Sequence, residues 1–358
     1  MTVLSATSRV TPEKLRSFAD AVLVGAGMPD DDAAVSADAM VWSDLRGAHA
    51  HGVTGRLPKA VDQLTSGAKN PTPRCAIVRE TVTTTVFDAD GGWGQAAGTS
   101  GMRVAIAKAG KAGVGVTMVR NASTTAALGW YATLAVKERM IGLVINNTLP
   151  ILAPWGGTTK LLGNQPFAIG APADRHPPLL FDSALAALSW NAIHALQERG
   201  ESLPPGMALT AGGDPTVDPD EAIAGLIFPA GGHRGYGLAL MWEVLTGVLA
   251  RGLMAPDVGK DASTGRPMGV SMFCLAIDPT VAMPYETFTA RVDALVDQIH
   301  ACPPQPGVDR VRVPGERGHE LAAIHAREGV PVPPERAARL REVGERFGVP
   351  WDDDVVPS

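Results

Sequence analysis

Residues 44–58 read Asp-Leu-Arg-Gly-Ala-His-Ala-His-Gly-Val-Thr-Gly-Arg-Leu-Pro, and this stretch decides how the rest of the chain is interpreted. A helix-like segment ends here on His51, next to the flexible Gly52. An imidazole at a helix end can donate or accept a proton near neutral pH. Arg56 follows, and its planar guanidinium suits a carboxylate. The stretch therefore predicts acid catalysis on a small organic acid.

The composition indicates a compact, loop-rich α/β enzyme. Of 358 residues, 45% are hydrophobic, and the chain has 40 Gly and 29 Pro. A net charge of −6 without any basic block argues against nucleic-acid or anionic-membrane partners. No apolar run is long enough to span a membrane, and residues 1–9 lack the core of a signal peptide, so we expect a cytoplasmic protein. Three widely spaced cysteines predict neither a disulfide framework nor a zinc site.

Hydrophobic periodicity predicts helices at both ends of the chain. Thr11-Pro12 is typical of a helix start, and Asp30 is expected to cap a second helix. A third helix is predicted to end at Gly67. The tail from Pro314 onward is predicted to be helical, and its charged residues 335–346 are predicted to form a solvated face.

Strand and helix patterns alternate in the middle of the chain, which predicts a mixed α/β region. The strands are predicted at 76–79, 83–87, 115–119, 141–145, 167–171, 179–181 and 270–277, and the helices at 94–110, 126–138 and 236–249. We predict a helical domain at 1–74 plus 302–358 that carries His51. A mixed domain is predicted at 75–301, with a helical and loop excursion around 186–230.

Two glycine-rich runs are candidate phosphate sites. The run from Gly92 to Gly98 imitates a dinucleotide fingerprint, but Asp88 and Asp90 would repel a phosphate and the spacing is one residue too long. We interpret it as a structural turn. The run from Gly231 to Gly237, which contains His233 and Arg234, opens an apolar helix and is the stronger candidate.

Further polar residues follow predicted strands. Asn147 and Thr148 can line a ligand-binding site, although an ordinary turn is the alternative. Asp182 can orient an imidazole or cap a helix, and these roles are compatible. His49 with His51 can ligate a metal ion, which would suit a metal-dependent hydrolase, but no acidic cluster accompanies the pair.

Taken in order, these motifs resemble the malate/L-lactate dehydrogenase family, which includes sulfolactate, ureidoglycolate and diketogulonate dehydrogenases and piperideine-2-carboxylate reductases. The matching motifs cover nearly the whole chain: Asp44-Leu-Arg-Gly with His51-Gly, Asp90-Gly with Gly94-Gln, Pro154-Trp-Gly-Gly, Phe181-Asp182, Gly231-Gly-His-Arg-Gly-Tyr-Gly-Leu-Ala-Leu and Pro314-Gly-Glu316. The resemblance implies NAD(H)- or NADP(H)-dependent hydride transfer, a homodimer, and an NAD(P)-binding domain that is not a Rossmann fold.

The resemblance also implies roles for single residues. His51 would be the proton donor, with Asp182 as its relay partner, and Arg56 would bind the substrate carboxylate. Thr124, Asn147 and Thr148 would line the substrate site. The expected cofactor residues are Gly232, His233, Arg234, Gly235 and Glu316. The sequence does not distinguish NADH from NADPH; NADPH is slightly favoured, and Arg234, Arg175 and His176 are each able to meet a 2′-phosphate.

Departures from the family pattern cluster around the expected substrate site. Ala50 stands where the family commonly has Ser, and Arg56 lies five residues after the His instead of four. The segment 123–125, Ser-Thr-Thr, replaces Asn-His-Phe, and segments 163–166 and 183–186 also differ. We infer retained dinucleotide binding with altered substrate or proton chemistry.

The expected function is reversible reduction of a 2-oxo or 2-imino acid by a nicotinamide cofactor. A protonated imine arrives already activated, so the absence of a Ser hydroxyl at Ala50 and of a His at Thr124 favours an imine or an unusual ketone. The main alternative is a non-catalytic protein that retains cofactor binding and has a degenerate substrate site. A metal-dependent hydrolase is the second alternative.

Overall fold

The computed structural model describes residues 8–260 and 268–351. After strand β1 (Ser8–Val10), the chain forms helices α1 (Pro12–Gly25), α2 (Asp30–Leu45) and α3 (Val53–Thr65). The Thr11 hydroxyl caps α1 by accepting a hydrogen bond from the Lys14 N–H at 3.3 Å, as predicted. Helix α2 begins at Asp30 itself, so the expected cap is the first helical residue.

A seven-stranded sheet lies at the centre of the molecule. Its strands are β2 (Ala76–Glu80), β3 (Thr84–Asp88), β4 (Val114–Ala122), β5 (Ile141–Asn146), β6 (Phe167–Ala171), β7 (Leu179–Ser183) and β11 (Val270–Ile277). They are ordered β2-β3-β4-β11-β5-β6-β7, and β3 and β4 form the parallel pair while the other neighbours are antiparallel. This mixed sheet confirms the predicted α/β class and differs from the doubly wound parallel sheet of a Rossmann fold.

Helices α4 (Gly94–Ala112) and α5 (Gly129–Lys137) pack against the sheet. Helix α4 approaches β4 closely, since a Cβ atom added at Gly101 would lie 2.4 Å from Val119 Cγ2. Gly98 is equally confined, because its added Cβ would meet the Tyr131 ring at 2.7 Å. The glycines near the start of α4 therefore serve helix packing, in agreement with the structural interpretation of the run from Gly92.

The segment between β7 and the next long helix packs around a hydrophobic cluster, to which residues of the neighbouring segments also contribute. It contains α6 (Trp190–Arg199), β8 (Ala208–Leu209), β9 (Pro215–Thr216), α7 (Pro219–Ala224) and β10 (Leu226–Ile227). Helix α8 (His233–Glu243) follows and continues into a π-helical turn, Val244–Val248, where the sequence predicted one regular helix.

The C-terminal part returns to the N-terminal helices. It consists of α9 (Tyr285–His300), α10 (Glu316–Glu328), β12 (Val330–Val332) and α11 (Pro334–Phe347). Strand β12 pairs with β1, and α11 joins α1–α3 in one hydrophobic cluster. The predicted helical domain corresponds in outline to this hydrophobic cluster. Its ends, 1–7 and 352–358, lie outside the described residues, and its boundaries stay a prediction. Within the described ranges, none of the helices has the length and apolar character to cross a membrane.

Candidate active site

The loop between α2 and α3 is built around the carboxylate of Asp44, which is 0% exposed. It accepts hydrogen bonds from His49 Nδ1 at 2.9 Å, from the Thr54 hydroxyl at 2.7 Å and from the Thr54 backbone N–H at 3.2 Å. The last bond satisfies a free donor in the first turn of α3. Asp44 therefore fixes the loop that presents His51.

Two glycines allow this loop to close. A Cβ atom at Gly52 would lie 2.2 Å from Asp44 Cγ, so a side chain there would displace the central carboxylate. A Cβ atom at Gly55 would lie 2.4 Å from the His49 carbonyl oxygen. Gly55 thus lets α3 pack onto the His49–His51 turn, and Arg56 follows as the next residue of the helix.

His51, Arg56 and Thr124 line one cleft of about 910 Å³. The sequence predicted all three as site residues, and the fold brings them together although Thr124 lies beyond β4. The Arg56 guanidinium also lies against the Trp93 ring, with 5.4 Å from Cζ to the ring centroid. Its Nε and Nη2 atoms are buried and have no hydrogen-bond partner among residues 8–260 and 268–351.

The charges and the burial of His51 and Arg56 change the pKa values of both residues. Burial lowers the pKa of His51, and the positive charge of Arg56 lowers it further. Burial also lowers the pKa of Arg56 to about 10. An imidazole whose protonated form is disfavoured thus lies in one cleft with an arginine that forms no ion pair with the described residues, and this arrangement suits an anionic ligand.

Helix α11 contributes arginines to the same open cleft, and its charged face is mostly exposed, as predicted. Arg336, Arg339 and Arg346 line the cleft opposite α3, and Arg336 Nη1 donates to the Thr54 hydroxyl at 3.3 Å. The charged pattern was typical of a solvated helix, because nothing in it shows that this face lies beside His51. Asp62, Glu198 and Glu342 line the same cleft, and Arg346 pairs with Asp62 at 2.7 Å, so the cleft contains charges of both signs.

The Ser-Thr-Thr segment at 123–125 is well integrated in the fold. The Ser123 hydroxyl accepts a hydrogen bond from the Gly94 N–H at 3.0 Å, at the start of α4. The Thr125 hydroxyl accepts one from Asn146 Nδ2 at 3.0 Å. These bonds hold Thr124 at the cleft wall, so the departure from the family pattern has its own supporting contacts.

Asp182 does not form the expected hydrogen bond with His51 among the described residues. Its carboxylate accepts a hydrogen bond from the Gly129 N–H at 2.7 Å, at the first residue of α5. This is the helix-capping alternative, made across the fold. The residue keeps surface exposure, yet the protein around the carboxylate raises its pKa to about 6.

Asn147 and Thr148 do not line the cleft that contains His51, and their role in substrate binding stays a prediction. Asn147 is 0% exposed: its Nδ2 donates to Glu243 and to the Leu253 carbonyl, and its Oδ1 accepts from the Ser271 N–H. The Thr148 hydroxyl is bonded to Asn164, at 2.7 Å from its Oδ1. The polar atoms of both side chains therefore form hydrogen bonds within the protein, and these bonds connect the end of β5 to neighbouring segments.

The second glycine run lies at a separate concavity of about 420 Å³, which Trp155, Phe228, Gly231 and Gly232 help to line. Gly231 and Gly232 have positive φ angles of 72° and 67° directly before α8, which has no side-chain cap. His233 and Arg234 are exposed at this helix start. Gly235 is buried, and its added Cβ would lie 1.8 Å from the Ala230 carbonyl oxygen. Free N–H groups beside two potential cations fit a phosphate.

The other predicted cofactor residues are engaged elsewhere. Glu316 bonds to His300 Nε2 at 3.1 Å and to the Val313 N–H at 3.0 Å, in a pocket that shares no lining residue with the Gly232 concavity. Arg175 and His176 both pair with Asp297, at 2.6 and 2.7 Å. Of the three candidates for a 2′-phosphate, Arg234 alone has no ion-pair partner within the described ranges.

The paired histidines do not form a joint ligand set. His49 donates to Asp44, whereas His51 faces the cleft. Within residues 8–260 and 268–351, no three His, Cys, Asp or Glu side chains are grouped so as to hold a metal ion. The structure therefore gives no support to the hydrolase alternative.

Comparison with known proteins is consistent with this geometry. A family model described as malate/L-lactate dehydrogenase matches residues 10–341. A malate dehydrogenase of Pyrococcus abyssi is 34% identical over 332 residues, which cover 90% of this chain and 91% of the relative. The chain therefore belongs to the malate/L-lactate dehydrogenase family, as its motifs indicated.

Solved structures give the same result. Sulfolactate dehydrogenase from Methanocaldococcus jannaschii superposes with a TM-score of 0.90 at 34% identity, covering 96% of this chain and 99% of that one. A delta1-piperideine-2-carboxylate reductase from Pseudomonas syringae pvar. tomato has a TM-score of 0.85 at 27% identity, covering 94% and 100%. The protein is an oxidoreductase of the nicotinamide-dependent dehydrogenase and reductase class.

Proposed function

We propose that this enzyme reversibly reduces a 2-oxo acid or a 2-imino acid, with His51 as proton donor and Arg56 as the residue that binds the substrate carboxylate. The Arg56 guanidinium carries the proposal, since two of its buried nitrogen atoms have no acceptor in the described part of the chain and it shares a cleft with His51. A substrate carboxylate would provide those acceptors. The relatives' names specify substrates that carry such a group.

Substrate binding would also prepare His51 for proton transfer. In the free enzyme the Arg56 charge lowers the pKa of His51. A carboxylate on Arg56 cancels part of that charge, so the pKa of His51 rises and the imidazole gains its proton as the substrate arrives. Reduction uses this protonated form, and oxidation in the reverse direction uses the neutral form.

The surroundings of His51 favour a substrate that needs little further acid assistance. Ala50 offers no hydroxyl, and Thr124 is the polar side chain that the 123–125 segment brings to the cleft. A protonated imine is already activated toward reduction, whereas a neutral ketone depends on a proton donor as its oxygen gains charge. We therefore favour a cyclic 2-imino acid over a simple 2-oxo acid.

For the cofactor, Gly232, His233, Arg234 and Gly235 are the proposed phosphate-binding residues. When bound, the nicotinamide cofactor supplies the hydride. The uncapped start of α8 offers backbone N–H groups, and Arg234 adds a cation without a partner in the described residues. This free cation favours NADPH over NADH, since a 2′-phosphate needs a positive partner.

We further propose a homodimer. Helix α8 and the π-helical turn after it expose large apolar side chains, including Met241 at 54% and Leu249 at 52%. Apolar surface of this kind is typical of a subunit interface. Light scattering after gel filtration checks this proposal, and a single-chain mass would contradict it. A cytoplasmic location stays a prediction.

The proposed reaction is tested by the loss of nicotinamide absorbance with NADH and with NADPH. The substrates are pyruvate, oxaloacetate and cyclic 2-imino acids, and His51→Ala is assayed beside the natural enzyme. With the 2-oxo acids, whose oxygen needs a proton, we expect turnover to fall by about 10²–10⁴-fold in the variant, the range of a general acid, whereas a protonated imine should lose less. A far higher specific activity on simple 2-oxo acids than on cyclic 2-imino acids would reject the imine preference.

Turnover that persists in His51→Ala would reject the proposed proton donor. Cofactor binding without turnover on any of these substrates would instead favour the non-catalytic alternative. Fluorescence of the bound nicotinamide measures cofactor binding independently of turnover.

A further inference from the structure

A second arginine lines the cleft that contains His51 and Arg56, and it comes from the C-terminal helix. Arg336 lies in the first turn of α11 and is half-buried. Its Nη1 atom donates a hydrogen bond to the Thr54 hydroxyl at 3.3 Å. Among residues 8–260 and 268–351, its side chain forms no salt bridge and no further hydrogen bond. A guanidinium has five N–H donors, so most of those of Arg336 are free for a ligand.

The position of Arg336 is fixed through Thr54, which is 3% exposed. The Thr54 hydroxyl accepts the hydrogen bond from Arg336 and donates its own to the Asp44 carboxylate at 2.7 Å. Asp44 is buried and also binds His49 at 2.9 Å. An arginine tied to a buried network loses less conformational freedom when it binds a ligand, so Arg336 is pre-organised for an acceptor.

The carboxylates near Arg336 do not use its free donors. Asp44 is reached only through the Thr54 hydroxyl, and Asp62 pairs with Arg346 at 2.7 Å. Glu198 and Glu342 also line the cleft, but both are exposed, and neither forms a salt bridge with Arg336 in the described part of the chain. Arg336 therefore keeps free donors at the cleft wall.

Arg336 and Arg56 reach the cleft at different points. Thr54, which holds Arg336, and Arg56 are two residues apart in the first turn of α3, and side chains at that spacing do not face each other on a helix. Arg56 has two buried nitrogen atoms without acceptors in the described ranges. The cleft volume of about 910 Å³ has room for a ligand that contacts both arginines. Two separate cations suit two acidic groups on one ligand.

We propose that Arg336 is a specificity-determining residue, which binds a second carboxylate of the substrate while Arg56 binds the carboxylate beside the reacting carbon. The substrate class is then a 2-oxo or 2-imino acid that carries a further carboxylate. An acid with one anionic group leaves Arg336 without a ligand. Recognition of this substrate rests on the proposed function, whereas binding of a dianion by Arg336 and Arg56 does not.

Binding is tested with succinate and butyrate, which have four carbon atoms each and differ by one carboxylate. Calorimetry on the full chain with NADPH present gives the dissociation constants. The natural enzyme should bind succinate about tenfold more tightly than butyrate. Arg336→Gln should lose this preference, because glutamine keeps a donor for Thr54 but has no charge. The control Arg339→Gln removes the same charge from the same helix and cleft, at an exposed site, and should keep the preference.

A purely structural role for Arg336 predicts a different result in steady-state kinetics. Loss of the Thr54 contact alone would lower kcat/KM by the same factor for acids with one and with two carboxylates. We expect Arg336→Gln to lower kcat/KM about tenfold more for oxaloacetate than for 2-oxobutyrate, mainly through KM. Arg336→Lys, which keeps the charge, should restore part of the difference. Equal losses on the two substrates, or equal effects of Arg336→Gln and Arg339→Gln, would overturn the proposal.

Failure of this proposal and failure of the proposed function give different results. Succinate binding that depends on Arg336, with no turnover on any 2-oxo or 2-imino acid, would retain the dianion site and reject the reaction. Turnover that depends on His51, with succinate bound no more tightly than butyrate, would retain the reaction and reject the dianion site.

Discussion

The loop around Asp44 and the wall around Arg56 lie next to each other in the sequence and differ in how their polar groups are satisfied. The buried Asp44 carboxylate accepts three hydrogen bonds from His49 and Thr54. Arg56 has two buried nitrogen atoms without acceptors in the described part of the chain. Satisfied groups indicate a scaffold, and unsatisfied ones indicate a ligand site. One motif thus contains residues of both kinds.

The largest expected effect follows from removing the scaffold carboxylate. Asp44→Ala leaves the donors of His49 and Thr54 without their acceptor, so we expect the free energy of unfolding to fall by about 2–4 kcal/mol. Chemical denaturation measures it. Asp38→Asn, on the same helix, breaks an exposed ion pair with Arg16 and should change stability by less than about 1 kcal/mol. Equal effects in the two variants would show that the loop does not depend on Asp44.

Removing the Arg56 cation should impair catalysis and leave stability intact, the opposite of the effect expected at Asp44. Arg56→Met should lower kcat/KM for reduction by about 10²-fold, mainly through a higher KM, and leave the melting temperature equal or higher. Because Arg56 lowers the pKa of His51, the pH limb of the reduction profile should move upward in the variant. Steady-state kinetics against pH and thermal denaturation check both parts. A large loss of stability with an unchanged KM would place Arg56 with the scaffold.

A smaller effect is expected at Asp182, whose carboxylate accepts one hydrogen bond while the residue keeps surface exposure. Its pKa is raised to about 6, so the fold favours the protonated carboxyl group, and stability is lost as pH rises from about 4 through 6. Asp182→Asn keeps an acceptor for the Gly129 N–H and removes the ionisation. We expect its melting temperature to exceed that of the natural enzyme by about 1–3 °C at pH 8 and to match it at pH 4. A variant that is less stable at pH 8 would contradict this account.

Local patterns predicted the fold well where a single segment determines its own structure. The cap at Thr11 and strand β6 at Phe167–Ala171 agree with the sequence predictions. Helix α9 (Tyr285–His300) was not predicted, although its apolar residues recur at helical spacing. The π-helical turn after α8 was missed as well, because hydrophobic periodicity does not distinguish it from a regular helix.

The site was predictable only in part, since its residues meet through tertiary packing. His51 and Arg56 lie on one local motif, and Thr124 was added to the predicted site because of the family resemblance. The hydrogen bond between Asp182 and Gly129 joins two distant segments, and no local signal announces it. Arg336 looked solvated because its helix is charged, yet it lines the cleft.

The central claim is that a carboxylate on Arg56 brings a proton to His51, and ¹⁵N-histidine NMR tests it most directly. The imidazole of His51 is titrated in the full-length enzyme with and without saturating oxamate, and the His51→Ala spectrum assigns its signal. We predict a pKa below 6.5 in the free enzyme and a higher pKa with oxamate bound. A His51 pKa that stays the same when oxamate binds would contradict the account, because Arg56 and His51 would then not share one ligand.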